Sequence, residues 1–137
     1  MNKLIILRGA SGCGKSSFAD FLVRNLRLDA DRFEADGYMV NRQGDYEFKP
    51  EKLGYCHKSC QEDVEGAMHG GLECVIVSNT STTEKELEFY LDLAQKYDYE
   101  VISLVVEKRH DGKNDHEVPE QTLDRQEQRL RGSLKLR

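Results

Sequence analysis

Leu4 to Phe18 reads LIILRGASGCGKSSF, an apolar run that passes through a glycine-rich turn into residues of helical character. Gly9, Gly14, Lys15 and Ser16 satisfy G-x-x-x-x-G-K-[ST], the spacing of a loop that cradles polyphosphate between a buried strand and a helix. Glycines at 9, 12 and 14 let the backbone curl round an anion with its N–H groups inward, and the helix that follows adds the positive end of its dipole. Lys15 is expected to neutralise the β- and γ-phosphates, and the Ser16 hydroxyl to ligate Mg²⁺. The expected nucleotide-contacting set is Gly9, Ser11, Gly12, Cys13, Gly14, Lys15, Ser16 and Ser17, with ATP or GTP as ligand and Ser16 as the metal-bearing residue. An accidental glycine-rich turn need not sit between a buried strand and a helix.

Outward from this stretch, strand and helix signals alternate. Lys3 to Arg8 has the continuous apolar character of a buried parallel strand, and Lys15 to Arg24 sets Phe18, Phe21 and Leu22 at helical spacing. Leu26, Leu28 and Ala30 alternate with Arg27, Asp29 and Asp31, which predicts a short second strand with its carboxylates on the opposite side or at its carboxyl end. Gly37 to Pro50 is turn-prone and predicts a hairpin or an irregular loop. Pro50 then opens a helix to about His69, with a weak stripe of Leu53, His57, Cys60, Val64 and Met68, and Gly70-Gly71 stops it.

Cys74 to Val77 predicts another buried strand, ending in Ser78-Asn79-Thr80-Ser81-Thr82, with Thr82 or Thr83 placed to cap a helix from about Glu84. Val101 to Val106 predicts a third buried strand, and Pro119 opens a final charged helix. The wholly polar stretch between them predicts a mobile lid over about 107–118. The order predicts an α/β fold of the phosphate-loop kinase kind: a three-layer sandwich round a mostly parallel sheet, with a C-terminal lid region.

At 137 residues the chain fits one domain, expected to span 1–137. No apolar run approaches the ~20 residues of a membrane span, and the N-terminus lacks the apolar segment of a secretion signal, so the expected compartment is the cytoplasm. Cys13, Cys56, Cys60 and Cys74 lack zinc-site pairing and are expected as reduced thiols. A net charge of −5 argues against tight binding of long duplex by bulk electrostatics, while leaving room for a local basic cleft.

Phosphoryl transfer asks for a donor loop, a metal, a group that takes or orients the acceptor proton, and cations round the moving group. Asp31 is the candidate base, since ligands gather beyond the carboxyl ends of parallel strands; a helix N-cap explains its position equally well. Arg109 and Lys113 are candidate lid cations, against the plain alternative of a solvated charged loop. No carboxylate follows the strand Cys74 to Val77, where many phosphate-loop enzymes keep one for Mg²⁺; Ser78 and Asn79 stand there instead.

Taken together, GASGCGKSSF, DADRF, YEFKPEKLGYCH, VIVSNTST and KNDHEVPEQTL make the chain resemble the phosphate-loop polynucleotide 5′-hydroxyl kinases, in particular the bacteriophage enzyme's kinase domain and its small cellular relatives. The resemblance implies Asp31 as general base, Lys15 and Ser16 on donor phosphates and Mg²⁺, and Asn79 and Thr80 beside acceptor or metal. It sets Lys113 near a family arginine that contacts the transferring phosphoryl group, with Arg109 one helical turn earlier. The family's acceptor-phosphate arginine falls at Glu34 here, which leaves Arg32 as the substrate-binding candidate. The implied partner is a nucleic-acid 5′ end. Net charge and Glu34 speak for a small nucleoside-like or modified-base acceptor instead, and the missing strand-end carboxylate for a nucleotide-binding switch or slow NTPase.

Overall fold

The computed structural model describes residues 1–81, 83–109 and 118–136. In chain order the elements are β1 (Lys3–Arg8), α1 (Lys15–Asn25), β2 (Ala30–Phe33), a 3₁₀ turn (Ala35–Tyr38), a second 3₁₀ turn (Pro50–Lys52), α2 (Leu53–His69), β3 (Cys74–Val77), α3 (Glu84–Tyr97), β4 (Glu100–Val105) and α4 (Glu120–Arg131). The strands form one sheet in the order β2-β3-β1-β4, every neighbouring pair parallel. Parallel crossovers are right-handed, so stepping from β1 past β3 to β2 puts α1 on one face, and stepping back puts α2 and α3 on the other.

Successive strand side chains face opposite sides, and this sorts the core into two layers. Ile5, Leu7, Cys74 and Ile76 pack with Ala19, Phe18 and Leu22 of α1. Leu4, Ile6, Val75 and Val77 meet Cys60 and Val64 of α2 and Leu87 and Tyr90 of α3. Each such fully buried aliphatic side chain contributes about 1.5–3 kcal/mol relative to exposure. The switch point, where connections leave β1 and β3 in opposite directions, opens at their carboxyl ends, next to Gly9.

Three sequence expectations are adjusted and two are made specific. The second strand is Ala30–Phe33 rather than a run ending at Asp31, because Leu26 still closes α1 by donating its N–H to the Leu22 carbonyl at 2.9 Å. The buried stripe of α2 is Cys56, Cys60, Val64 and Met68; Leu53 and His57 are exposed, since the helix presents residues four apart to the sheet. β4 is an edge strand paired to β1 alone among the described residues, so Val101, Leu104 and Val105 stay partly exposed where a buried strand was expected. Residues 38–50 form a hairpin-like loop: Val40 and Tyr46 make an antiparallel bridge, and Asn41 Oδ1 accepts from the N–H groups of Gln43 and Asp45 at 2.9 and 3.0 Å. Thr83 caps α3, accepting from Glu86 N–H at 3.4 Å; Thr82 lies outside the described residues.

No helix among the described residues is long and apolar enough to cross a membrane. All four cysteines are free thiols and buried. Burial pushes the thiols of Cys56, Cys60 and Cys74 up. The folded chain therefore holds these protons more firmly than the unfolded chain does, so their contribution is complete below the ordinary thiol pKa of about 8.5 and is lost as pH rises through the raised values. Urea midpoints are expected to fall as pH rises above about 8.5; a midpoint that stays flat above that pH would contradict this assignment.

Candidate functional site

Beyond β1 the backbone turns on itself because Gly12 (φ 80°) and Gly14 (φ 105°) take the left-handed region that a Cβ would strain. Cys13 N–H returns to the Ala10 carbonyl at 3.2 Å, and Gly9 N–H donates to the Thr80 carbonyl at 3.3 Å, fastening the loop to the end of β3. α1 starts directly behind it. Its first turn carries no acidic residue and no side-chain cap, so the orphan N–H groups and the positive dipole end at Lys15, Ser16 and Ser17 suit an anion.

Lys15 is only 7% exposed. Its ammonium donates to the carbonyls of Gly9 at 2.9 Å and Ala10 at 3.1 Å and lies 3.7 Å from the Cys13 sulfur, so the cation is held within the ring of main-chain groups. On the outer side, Ser11 N–H donates to Gln126 Oε1 at 3.0 Å, which brings α4 against the loop. Beneath it, Arg8 is fully buried. Its guanidinium donates to the Ser81 carbonyl at 3.1 Å, the Leu134 carbonyl at 3.2 Å and Ser133 Oγ at 3.0 Å, pinning the chain beyond α4 to the strand that launches the loop.

The acidic side is built by β2. Alternation turns Ala30, Arg32 and Glu34 toward α1, and the contacts bear this out. Arg32 Nε lies 2.6 Å from Asp20 of α1, and its Nη1 donates to Glu34 Oε2 at 3.1 Å. Glu34 in turn accepts from Ser16 Oγ, 2.9 and 3.0 Å from its two oxygens.

Asp31 is placed otherwise. It pairs with Val75, which pairs with Leu4, so it stands five residues before Gly9 in register, roughly 16 Å back along the strand direction. It belongs to the opposite face from Glu34, is exposed, and accepts from Arg32 N–H at 2.8 Å. The expectation that Asp31 points at the loop is corrected on both counts, register and parity. Nor does it cap the following turn, whose cap position is Glu34.

Asn79, expected beside acceptor or metal, serves in the fold as a structural tie. It is 7% exposed; its Oδ1 accepts from Ala35 N–H at 2.7 Å, and its Nδ2 lies 3.4 Å from the Tyr90 hydroxyl and 3.9 Å from Cys60 Sγ. Asn79→Ala is expected to cost about 1–3 kcal/mol in urea unfolding, because the buried Ala35 donor loses its partner; an unchanged midpoint would return Asn79 to the substrate side. Thr80 serves the loop through its carbonyl. Arg109 is exposed and paired with Glu107 at 3.1 Å. Lys113 and most of the expected lid lie outside the described residues.

Gln126 and Arg8 went unmarked by sequence, and Glu34 was marked only as standing where the family keeps an arginine. A signal existed for Glu34 alone: it shares parity with Arg32 and stands one residue past the strand end.

A family model described as an AAA domain matches residues 4–132. Among curated proteins the chain is similar to the 2′,3′-cyclic-nucleotide 3′-phosphodiesterase of Rattus norvegicus, 26% identical over 99 residues that span 72% of this chain and 22% of that protein. The Mus musculus protein of the same name is 24% identical over the same length. The chain thus covers 22% of the length of these curated relatives. In structure it is similar to a chain of the Pnkp1/Rnl/Hen1 RNA repair complex, with a TM-score of 0.75 at 20% identity, covering 97% of this chain and 45% of that one. The APS kinase CysC of Mycobacterium tuberculosis, in complex with AMPPNP and APS, gives a TM-score of 0.57 at 15% identity and covers 92% of this chain and 68% of that one. At these identities the likeness establishes the fold, that of the phosphate-loop kinases.

Proposed function

We infer that this chain, which belongs to the AAA domain family, transfers the terminal phosphoryl group of ATP or GTP to a hydroxyl acceptor, the 5′-hydroxyl end of a polynucleotide. The observation that carries this reading is the ring of main-chain groups from Gly9 to Ser16, with the Lys15 ammonium inside it and the uncapped start of α1 behind it. Such a ring grips the donor phosphates through N–H groups, and Lys15 offsets the charge that gathers as the terminal group moves. The Ser16 hydroxyl is a hard oxygen donor of the kind Mg²⁺ takes, and Mg²⁺ bound with the nucleotide supplies further charge neutralisation. Arg109 and Lys113 are the cations we assign to a closing segment, and the cytoplasm is the compartment we assign to the reaction. A polynucleotide end as acceptor is supported by the fold shared with a chain of an RNA repair complex.

One observation favours a second acceptor. Arg32, the candidate for an acceptor phosphate, is engaged by both Asp20 and Glu34, and Asp31 and Asp36 add negative charge along the same segment. A nucleoside-like acceptor without a phosphate meets less repulsion there than a strand end does. Transfer of γ-labelled phosphate to a 5′-hydroxyl oligonucleotide and to single nucleosides separates the two. Label on the oligonucleotide supports the main reading, label on the nucleoside alone moves it to the second, and label on neither of them and on no other hydroxyl compound removes it.

A further inference from the structure

The end of β3 offers no carboxylate for a divalent cation. Ser78 is buried, and the Asn79 amide is occupied by Ala35, Tyr90 and Cys60. Resting on the phosphotransferase reading above, we propose that Glu34, from the end of edge strand β2, is the carboxylate that secures the nucleotide-borne divalent cation beside Ser16.

Three features of the geometry carry this. First, Glu34 is the described carboxylate seen to contact a hydroxyl of the phosphate-binding loop, at 2.9 and 3.0 Å from Ser16 Oγ. A serine hydroxyl has one proton to give, and an ionised carboxylate has about four lone-pair sites. Ser16 and Arg32 take part of that capacity and leave oxygen lone pairs on the loop side. Second, the side chain is 17% exposed and held from behind: Arg32 donates to Oε2 and is itself anchored to Asp20 of α1. A carboxylate so braced is oriented before the cation arrives, as ligands supported by outer hydrogen bonds are. Third, no group of three or more His, Cys, Asp and Glu among the described residues could hold a metal unaided. Two protein oxygens, from Ser16 and Glu34, therefore need phosphate oxygens to complete the set, which is how Mg²⁺ is usually bound, through one or two carboxylates and the substrate. The cation is expected to bind the protein–nucleotide complex and not the protein alone.

Mn²⁺ titration followed by electron paramagnetic resonance, with and without ADP, tests this without recourse to turnover. Glu34→Gln keeps volume and an acceptor for Ser16 but removes the charge, and Glu34→Asp keeps the charge. Wild type with ADP is expected to bind Mn²⁺ at least about 10-fold more tightly than Glu34→Gln with ADP, since losing even an outer partner of a ligand costs about 10- to 100-fold. Metal-free ADP affinity should change less than about threefold, and Glu34→Asp should lie nearer wild type than Glu34→Gln does. Equal Mn²⁺ affinities in wild type and Glu34→Gln, with ADP bound normally by both, would overturn the role of Glu34 and leave the kinase reading standing. Failure of wild type to bind ADP at all would overturn both.

Discussion

Lys15→Ala is expected to lower phosphoryl transfer by on the order of 10²- to 10³-fold, the loss that follows removal of a donor aimed at developing charge. The size of the effect follows from where the ammonium sits. It is 7% exposed and enclosed by the carbonyls of Gly9 and Ala10, so it acts in a site from which water is largely displaced and where charge counts for more than at the surface. The loop should survive the change, since its ends are fastened by Gly9 N–H on the Thr80 carbonyl and Phe18 N–H on the Gly14 carbonyl. Lys15→Arg should recover little, because a planar fork does not replace a compact ammonium within so tight a ring. Steady-state transfer and nucleotide titration, with circular dichroism to confirm folding, check this. Transfer within threefold of wild type in Lys15→Ala would show that the ring is not where the donor phosphates bind.

Gly9→Ala is the second large effect. A Cβ built on Gly9 would stand 2.6 Å from the Cys13 sulfur and 2.6 Å from the Val106 carbonyl oxygen. The sulfur can rotate away; the carbonyl belongs to backbone that donates Val106 N–H to the Arg8 carbonyl at 2.7 Å and cannot retreat without loosening β4 from β1. Forcing a methyl group into such a space costs about 1–3 kcal/mol. A shift of the loop by about 1 Å would lower transfer by on the order of 100-fold. Urea unfolding and transfer should thus fall together, whereas Lys15→Ala should lower transfer with stability nearly unchanged. Gly9→Ala with both properties intact would mean that β4 does not wall the loop as described.

The loop and its flanking elements were legible because their signal is local: glycine spacing sets backbone conformation, and continuous apolar runs mark strands buried on both faces. LIIL and CVIV are covered by helices on both sides, as their composition suggested. VISLVV carries the same composition yet forms an edge, since no residue of that stretch states how many strands will lie beside it. The carboxylate on the loop side was not singled out for a related reason. Asp31 and Glu34 both sit near the end of the second strand, and choosing between them needs the register against β3 and the face turned to α1, both properties of the assembled sheet. Asn79 looked like a ligand because polar residues at strand ends often are; its amide is consumed by the turn that carries Glu34 past it. Gln126 reaches the loop from 115 residues away in sequence, a contact that no spacing within the chain announces.

The most direct test is a backbone amide spectrum, ¹H–¹⁵N, recorded as Mg²⁺·AMPPNP is titrated into the labelled chain. The amides of Gly12, Cys13, Gly14, Lys15 and Ser16 are expected to shift furthest, with Glu34 moving at the same nucleotide concentration and Asp31 little changed. Saturable shifts elsewhere with these amides unmoved, or no shift at millimolar nucleotide, would contradict a triphosphate held by this loop with Glu34 at its side.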